Sequence, residues 1–252
     1  MDVIESLLPI KAEKVTLKSS DGVTLGGYYA KAPGAKRLVI IVHGLRRNHL
    51  AMANRWDSVF PGLASLFFLD LRGHGLSSRR ALVTFGDREA LDVKAAVERY
   101  RGEYQSIILW GHSMGAAASL KYAGNGGKPE GLILEAMYHS IDDAIDVRAK
   151  LWHTPPKTAP VMKFIFRRIM GIHFDGLTMP PILAGLKEMP VLVVQSREDE
   201  KVPMASYERL AQALGPKGRT LVFDHGNHDS IFRANREAYS KAVREFVEGI
   251  PG

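Results

Sequence analysis

Six short apolar runs, separated by longer amphipathic segments, constrain the fold of this 252-residue chain more than any other feature. The runs are residues 38–42, 64–69, 107–110, 132–134, 191–194 and 221–223. Consecutive apolar positions are typical of strands in a parallel sheet that is covered on both faces. Helical periodicity follows in the segments 87–100, 113–122, 207–214 and 230–247. This alternation predicts an α/β fold with a mainly parallel central sheet flanked by helices.

Two further strands are expected at the beginning of the chain. Residues 15–17 and 24–29 are rich in strand formers, and Asp21-Gly22 lies between them. An Asp-Gly pair between two such runs is a hairpin signal. We therefore expect an antiparallel hairpin at one edge of the sheet.

One interval breaks the alternation. Residues 136–188 are too many for a simple connection between two strands, and they hold helical patterns at 141–152 and 160–170. We interpret 136–188 as an inserted helical cap or lid, and residues 1–135 and 189–252 as the α/β core. The alternative is a helix that packs on the main domain without covering a cleft.

Composition excludes several classes of site and of partner. The chain has no cysteine, which excludes a disulfide scaffold, a thiolate metal site and a cysteine nucleophile. Residues 1–10 lack a basic start and a long apolar core, so we expect no signal peptide. The longest apolar stretches are far shorter than the roughly 18 residues of a membrane span. We expect a cytoplasmic protein without stable membrane insertion.

The net charge is +7, from 34 basic and 27 acidic residues. Such a balance is compatible with nucleic-acid binding. However, the sequence contains no helix-turn-helix, zinc-finger or RNA-recognition pattern. We therefore predict no nucleic-acid partner.

The strongest local motif is Gly111-His112-Ser113-Met114-Gly115. It follows a buried strand and begins a helix of small residues, which is the context of a nucleophile elbow. In such an elbow a strained turn exposes the serine Oγ, and the helix N-terminus favours developing negative charge. The motif predicts that Ser113 is a nucleophile.

A serine nucleophile needs a histidine base and an orienting acid. The loop after the strand 191–194 carries three carboxylates, and we favour Asp199 over Glu198 and Glu200 as the acid. The loop before the last helix carries two histidines. Of these, we favour His228 as the base and keep His225 as the alternative.

An oxyanion hole is expected beside this elbow. On this type of fold it is built from the amide after the nucleophile and from an amide at the end of an early strand. The second amide follows His43-Gly44 here. We therefore expect the backbone N–H groups of Leu45 and Met114 to bind the oxyanion.

Taken together, these motifs resemble those of the α/β-hydrolase superfamily along nearly the whole chain. The loop Asp70-Leu71-Arg72-Gly73-His74-Gly75-Leu76-Ser77 is similar to the family's Asp-x-Arg-Gly-x-Gly-x-Ser loop. The segments 199–203 and 226–228 resemble its acid loop and its histidine loop. Among members, the chain looks like small serine carboxylesterases, monoacylglycerol lipases and feruloyl esterases. The resemblance implies that Arg72 and His74 organise loops.

The function expected on this basis is hydrolysis of carboxylic esters through an acyl-enzyme intermediate, with no cofactor and no metal. The expected partner is a small ester with an apolar acyl or aryl group. Apolar cap side chains would line its pocket; we predict Trp152, Phe164, Phe166 and Met170. The alternatives are a peptidase or carbon–carbon hydrolase on the same fold and, from another class, a non-catalytic binding protein.

The sequence also suggests where positive charge could meet a substrate. Four arginines lie on loops that leave the carboxyl ends of two parallel strands: Arg46, Arg47, Arg79 and Arg80. Ordinary solvated arginines are one interpretation. The other is a basic rim that attracts esters bearing a carboxylate or phosphate.

Overall fold

The computed structural model describes residues 11–252, so the expectation of no signal peptide at residues 1–10 lies outside the described residues. This range contains eight strands: β1 Glu13–Lys18, β2 Thr24–Ala30, β3 Arg37–Val42, β4 Ser65–Asp70, β5 Ser106–His112, β6 Gly131–Glu135, β7 Val191–Ser196 and β8 Gly218–Phe223. They form one sheet in the order β1-β2-β4-β3-β5-β6-β7-β8. Strands β3 to β8 are parallel, and β1 and β2 are antiparallel at one edge. The predicted α/β fold is confirmed.

Nine helices accompany these strands in the described part of the chain: α1 His49–Met52, α2 Glu89–Tyr100, α3 Met114–Gly124, α4 Ile141–Leu151, α5 Thr158–Arg168, α6 Met179–Gly185, α7 Met204–Gln212, α8 Ile231–Ala234 and α9 Arg236–Glu248. Short 3-10 turns occupy Ala53–Ser58 and Asp175–Leu177. None of the helices within residues 11–252 has the length and apolarity that a membrane crossing requires.

Several helices differ from the sequence prediction, and the short helix α1 was not expected. The segment 230–247, predicted as one helix, is divided at Asn235 into α8 and α9, and the Asn235 amide donates to the Ile231 and His225 carbonyls. Helix α6 was not predicted. Its first turn contains Pro180 and Pro181, which read as helix breakers in a sequence but fit the first turn, where a backbone N–H has no helical partner.

The core lies on both faces of the sheet. Along β3, Leu38, Ile40 and Val42 face one apolar cluster, while Val39 and Ile41 face the other. All five are buried, because a strand with helices on both sides has no solvent-facing side. The loops that leave the carboxyl ends of the parallel strands meet at one edge of this sheet.

Helices α4, α5 and α6 lie in the interval between β6 and β7, within residues 136–188. The exposed face of α5 is apolar at Val161 and Phe164, and the exposed Ile169 follows the end of the helix. The opposite face of α5 packs on the core through Met162 and Phe166. The interval thus covers part of the main domain.

Two glycines allow α3 to pass very close to the sheet. A Cβ on Gly115 would lie 2.3 Å from the Val42 carbonyl oxygen and 2.6 Å from that of His43. A Cβ on Gly111 would lie 2.5 Å from the Ala116 backbone nitrogen. Because these neighbours are backbone atoms, they cannot rotate away, and both positions require glycine.

We predict that Gly115→Ala lowers the free energy of unfolding by about 1–3 kcal/mol or more, because the added methyl group overlaps the β3 backbone. Urea denaturation followed by circular dichroism measures this change. Gly102→Ala is the matched control, since its Cβ meets no atom within 4 Å. Equal stability of the two variants would contradict the close approach.

Candidate active site

Ser113 lies at the sharp turn between β5 and α3. Its φ of 53° and ψ of −114° belong to a region that residues with a side chain rarely adopt. The turn is held by a hydrogen bond from the Ser113 amide to the Glu135 carbonyl, at 2.8 Å. Strain of this kind persists only where the surrounding structure enforces it, and here it places the Ser113 side chain at the carboxyl edge of the sheet.

Ser113, His228 and Asp199 form one hydrogen-bonded chain. The Ser113 Oγ is 3.1 Å from His228 Nε2, and His228 Nδ1 is 2.8 Å from Asp199 Oδ2. Asp199 Oδ1 also accepts hydrogen bonds from the Lys201 and Val202 amides, each at 2.9 Å. All three side chains are buried. The structure therefore brings together the three residues that the sequence singled out, in the order that general-base activation of a serine requires.

The competing acid and base pair with each other instead. Glu198 accepts a hydrogen bond from the exposed His225 ring at 3.1 Å and another from the Gly226 amide at 2.8 Å. The hydrogen bond to Glu198 raises the pKa of His225 and lowers that of the carboxylate. Glu200 is exposed. The contacts thus distinguish Asp199 and His228 from their neighbours, which spacing alone did not.

His112, which the sequence analysis did not assign a role, supports the His228 loop. Its Nε2–H donates to the His228 carbonyl at 2.9 Å, and the two rings lie 5.0 Å apart. Burial lowers the pKa of His112 to about 4, so the ring is neutral and one nitrogen remains a donor. The only signal in the sequence was its position directly before the serine.

A buried charged network lies beneath Ser113. Arg55 donates to both carboxylate oxygens of Glu135, at 2.7 and 2.9 Å, and Tyr239 OH donates to the same group at 2.9 Å. Although burial opposes ionisation, the Arg55 guanidinium holds the pKa of Glu135 below its usual value. Glu135 is also the residue whose carbonyl binds the Ser113 amide. The network therefore anchors the strand end that holds the serine turn.

The loop 43–47 is tied to the neighbouring loop after β4. His43 Nδ1–H donates to the Gly44 carbonyl at 2.7 Å, and its Nε2 accepts from the Leu71 amide at 3.0 Å. His74 Nε2 accepts from the Arg46 amide at 3.0 Å. These bonds position the segment that carries Leu45.

The loop after β4 is in turn fixed by Arg72, whose guanidinium donates to Asp92 at 2.6 Å and to Asp21 at 2.7 Å. This side chain is almost fully buried. Arg72 and His74 thus connect loops in this structure and do not line the cavities beside Ser113.

An apolar cavity of about 230 Å³ opens beside Ser113. Leu45 and Met114, whose amides were predicted as oxyanion donors, line it together with the serine. Much of its wall is made of apolar side chains from α4, α5 and the residue after α4, among them Ile141, Ile145, Trp152, Met162 and Phe166.

Two of the predicted pocket residues lie elsewhere. Phe164 is 61% exposed on the outer face of α5, because Met162 and Phe166 are one helical turn apart and residue 164 points to the opposite side. Met170 packs against the core outside the cavity. Trp152 and Phe166 are the two predicted residues that the cavity contains.

A second cavity, of about 360 Å³, adjoins the first; because most of its lining residues are polar or charged, we call it the polar cavity. It shares Leu45, Ser113, Arg148 and Trp152 with the apolar one. Its remaining walls are Gly44, Arg46, Arg47, His112, Lys201, His228 and Asp229.

Of the four arginines in the suggested basic rim, Arg46 and Arg47 line the polar cavity, whereas Arg79 and Arg80 do not. Asp229 binds Arg47 at 2.9 Å and Lys201 at 2.7 Å. Although burial opposes ionisation, these two hydrogen-bonding cations hold the pKa of Asp229 well below its usual value. Arg47 is therefore partly neutralised.

Within residues 11–252, no group of three or more histidine, aspartate or glutamate side chains is arranged to hold a metal ion. The polar atoms around Ser113 bind one another or face the two cavities.

Comparison with known proteins identifies related sequences and folds. The family model for "Serine aminopeptidase, S33" matches residues 33–180, which is more than half of the chain, and the model for "TAP-like protein" matches residues 176–249. The uncharacterized protein YqkD of Bacillus subtilis is 25% identical over 257 residues, covering 99% of this chain and 83% of that protein.

Solved esterases share the fold. The esterase Pf2001 of Pyrococcus furiosus superposes with a TM-score of 0.77 at 18% identity, covering 98% of this chain and 94% of that one. The esterase EaEST of Exiguobacterium antarcticum gives 0.70 at 16% identity, covering 93% and 99%. At such identities the likeness concerns the fold, which is that of α/β-hydrolase esterases.

The burial of His112 predicts a loss of stability in acid. Its pKa of about 4 in the folded protein lies below the value of about 6.5 in an unfolded chain, so protons favour the unfolded state between these values. The stabilisation is complete above pH 6.5 and is lost as the pH falls toward 4. Burial lowers the pKa of His43 in the same direction.

We predict that the drop in unfolding free energy from pH 7 to pH 4.5 is smaller in His112→Gln than in the wild type, by about 2–3 kcal/mol. Urea denaturation at the two pH values measures it. His173→Gln, at a side chain that is 82% exposed, is the control and should leave the drop nearly unchanged. The same drop in all three proteins would refute a buried neutral His112.

Proposed function

Since the chain belongs to the S33 serine aminopeptidase family and has the α/β-hydrolase fold of esterases, we propose that it is a serine hydrolase that cleaves carboxylic esters through an acyl-enzyme. The observation that carries this proposal is the hydrogen-bonded chain Ser113–His228–Asp199, which opens onto an apolar cavity. A buried serine bonded to a buried histidine and carboxylate is the arrangement that nucleophilic catalysis requires.

Acylation begins when His228 Nε2 takes the proton from Ser113 Oγ, 3.1 Å away. The oxygen attacks the ester carbonyl carbon, and a bond forms between Oγ and that carbon. Asp199 keeps the proton of the ring on Nδ1, so that Nε2 is free to accept, and it stabilises the imidazolium that results.

The tetrahedral intermediate carries a negative charge on the former carbonyl oxygen. We assign its stabilisation to the backbone N–H groups of Leu45 and Met114, which flank Ser113 in the apolar cavity. The intermediate then collapses, the bond to the alcohol oxygen breaks, and His228 gives its proton to the leaving alcohol. In the second half of the reaction, His228 takes a proton from water, and the hydroxide attacks the carbonyl carbon of the acyl-enzyme. The bond to Ser113 Oγ then breaks, His228 returns the proton to Oγ, and the acid is released.

The two cavities divide the substrate between them. His228 lines the polar cavity and not the apolar one, and it must protonate the leaving alcohol. The alcohol portion therefore lies in the polar cavity. The acyl portion lies in the apolar cavity, against α4 and α5.

We further propose that residues 136–188 act as a cap over this site. Helices α4 and α5 supply Ile145, Met162 and Phe166 to the wall that faces Ser113. In this arrangement the inserted segment selects the acyl group, and the core supplies Ser113, Asp199 and His228. The sequence of such a segment can vary while the sheet is kept.

The family's description as serine aminopeptidases provides a second candidate, cleavage of aminoacyl amides. Recognition of a protonated amino terminus needs an available carboxylate. The carboxylate in the polar cavity, Asp229, is already bound to Arg47 and Lys201, and four cations line the same cavity. The charge of the cavity therefore favours esters. Cleavage of an aminoacyl nitroanilide without any ester turnover would reverse this preference.

Loss of the nucleophile provides the direct test of ester hydrolysis. Ser113→Ala should lower kcat for p-nitrophenyl butanoate by at least about 1,000-fold, because no other group can form the acyl-enzyme. A fluorophosphonate probe should label the wild type and should not label Ser113→Ala. A non-catalytic binding protein would not be labelled even as the wild type.

Asp199→Asn should lower kcat by a comparable factor, whereas Glu200→Gln, an exposed neighbour, should leave kcat within about twofold of the wild type. Turnover by Ser113→Ala equal to the wild type would refute the proposal.

The wall formed by Phe166 should limit acyl length. Phe166→Ala removes a ring from the wall of the apolar cavity and enlarges it, so we expect the ratio of kcat/KM for decanoyl over butanoyl p-nitrophenyl esters to rise by about tenfold. Phe164→Ala is a matched control on the same helix, and its ratio should stay at the wild-type value. Equal shifts in the two variants would show that the cavity does not hold the acyl chain.

A further inference from the structure

Arg148 lies on α4 at the junction of the two cavities, and it lines both of them beside Ser113. Its guanidinium Nη1 is 3.2 Å from the Ala144 carbonyl and 3.4 Å from the Lys201 carbonyl. The contact with Lys201 directs the guanidinium toward the polar cavity, because Lys201 belongs to that wall.

This arginine makes no ion pair with any residue of the described chain, in contrast to two cations on α5. Lys163 on α5 binds both Asp142 and Asp146, and Arg167 binds Asp142. Two backbone carbonyls engage only part of the five N–H donors that a guanidinium carries. Arg148 therefore retains donors that point to no protein acceptor.

The charge of Arg148 is energetically unfavourable in its partly buried position. Burial lowers the pKa of Arg148, yet a guanidinium remains protonated at neutral pH. A partly buried cation without a counter-ion is unfavourable unless a partner arrives from outside the chain. The two carboxylates whose charges act on it are already engaged: Asp199 by His228, and Asp229 by Arg47 and Lys201.

The surrounding wall has the same sign. The polar cavity carries Arg46, Arg47, Arg148 and Lys201 against the single carboxylate of Asp229. A cleft lined by one sign of charge concentrates ligands of the opposite sign. This half of the site is the half that receives the alcohol portion of the ester.

We propose that Arg148 binds an anionic group, a carboxylate or a phosphate, on the alcohol portion of the substrate. The preferred ester then has an apolar acyl group next to α4 and α5 and a negatively charged leaving alcohol. This inference rests on the proposed function for the direction in which the ester lies. The guanidinium fork matches either anion with two parallel hydrogen bonds.

Matched esters test the proposal. The neutral substrate is methyl 4-butanoyloxybenzoate, and the anionic ones are 4-butanoyloxybenzoate and 4-butanoyloxyphenyl phosphate. For each protein, the ratio of kcat/KM on an anionic ester to kcat/KM on the neutral ester is measured at low salt. Comparing this ratio between variants cancels the intrinsic reactivity of the esters.

Arg148→Gln should lower that ratio by about 10- to 100-fold, the effect expected for loss of a hydrogen-bonded charge. Arg148→Lys, which keeps the charge, should retain much of the preference. Arg80→Gln removes an exposed arginine outside both cavities and should leave the ratio unchanged. The anionic ester with the larger loss identifies carboxylate or phosphate as the bound group. An unchanged ratio in Arg148→Gln for both anions would overturn the proposal while leaving ester hydrolysis intact.

Binding distinguishes failure of this inference from failure of the proposed function. In a Ser113→Ala background the esters are not turned over, and their Kd is measured by titration calorimetry. Tighter binding of an anionic ester than of its neutral partner, lost in Ser113→Ala/Arg148→Gln, supports the anion site even if the wild type cleaves no ester. Equal affinity for anionic and neutral esters in both backgrounds would refute it.

Discussion

The site depends on one constraint, the tight turn that connects β5 to α3. Ser113 adopts a positive φ there, and the flanking Gly111 and Gly115 let the helix begin almost in contact with the backbone of β3. The strained geometry is sustained by the bond from the Ser113 amide to the Glu135 carbonyl and by packing of α3 against the sheet. Because the turn is rigid, every other group of the site can be positioned relative to a fixed Oγ.

Buried polar groups secure the positions of those other parts. The Arg55–Glu135–Tyr239 network holds the end of β6 under the turn, and His112 binds the His228 carbonyl. A buried charge or donor without a partner raises the free energy of the folded state. The network is therefore stable only in the arrangement of the loops that pairs all of its groups. His228 and Asp199 come from loops 29 residues apart, yet their distance is set by this framework and not by the chain between them.

Charge and apolar surface are segregated on the two sides of Ser113. Helices α4 and α5 provide an apolar wall, whereas the loops after β3 and β7, together with Arg148 at the junction, provide the cations that share the polar cavity with Asp229. The proposed division of an ester into an apolar acyl group and an anionic alcohol follows from this segregation.

The sequence by itself determined the fold class, the elbow serine and the short lists of acids and bases, because strand and helix periodicity and turn chemistry are properties of near neighbours. Tertiary structure decided the rest. Asp199, and not Glu198, contacts His228. Phe166, and not Phe164, lies on the side of α5 that faces the cavity. It also placed Arg46, Arg47 and Arg148, but not Arg79 and Arg80, in the wall of the polar cavity. Such choices depend on distances between segments far apart in the chain, which the strand order of the sheet establishes and no local pattern encodes.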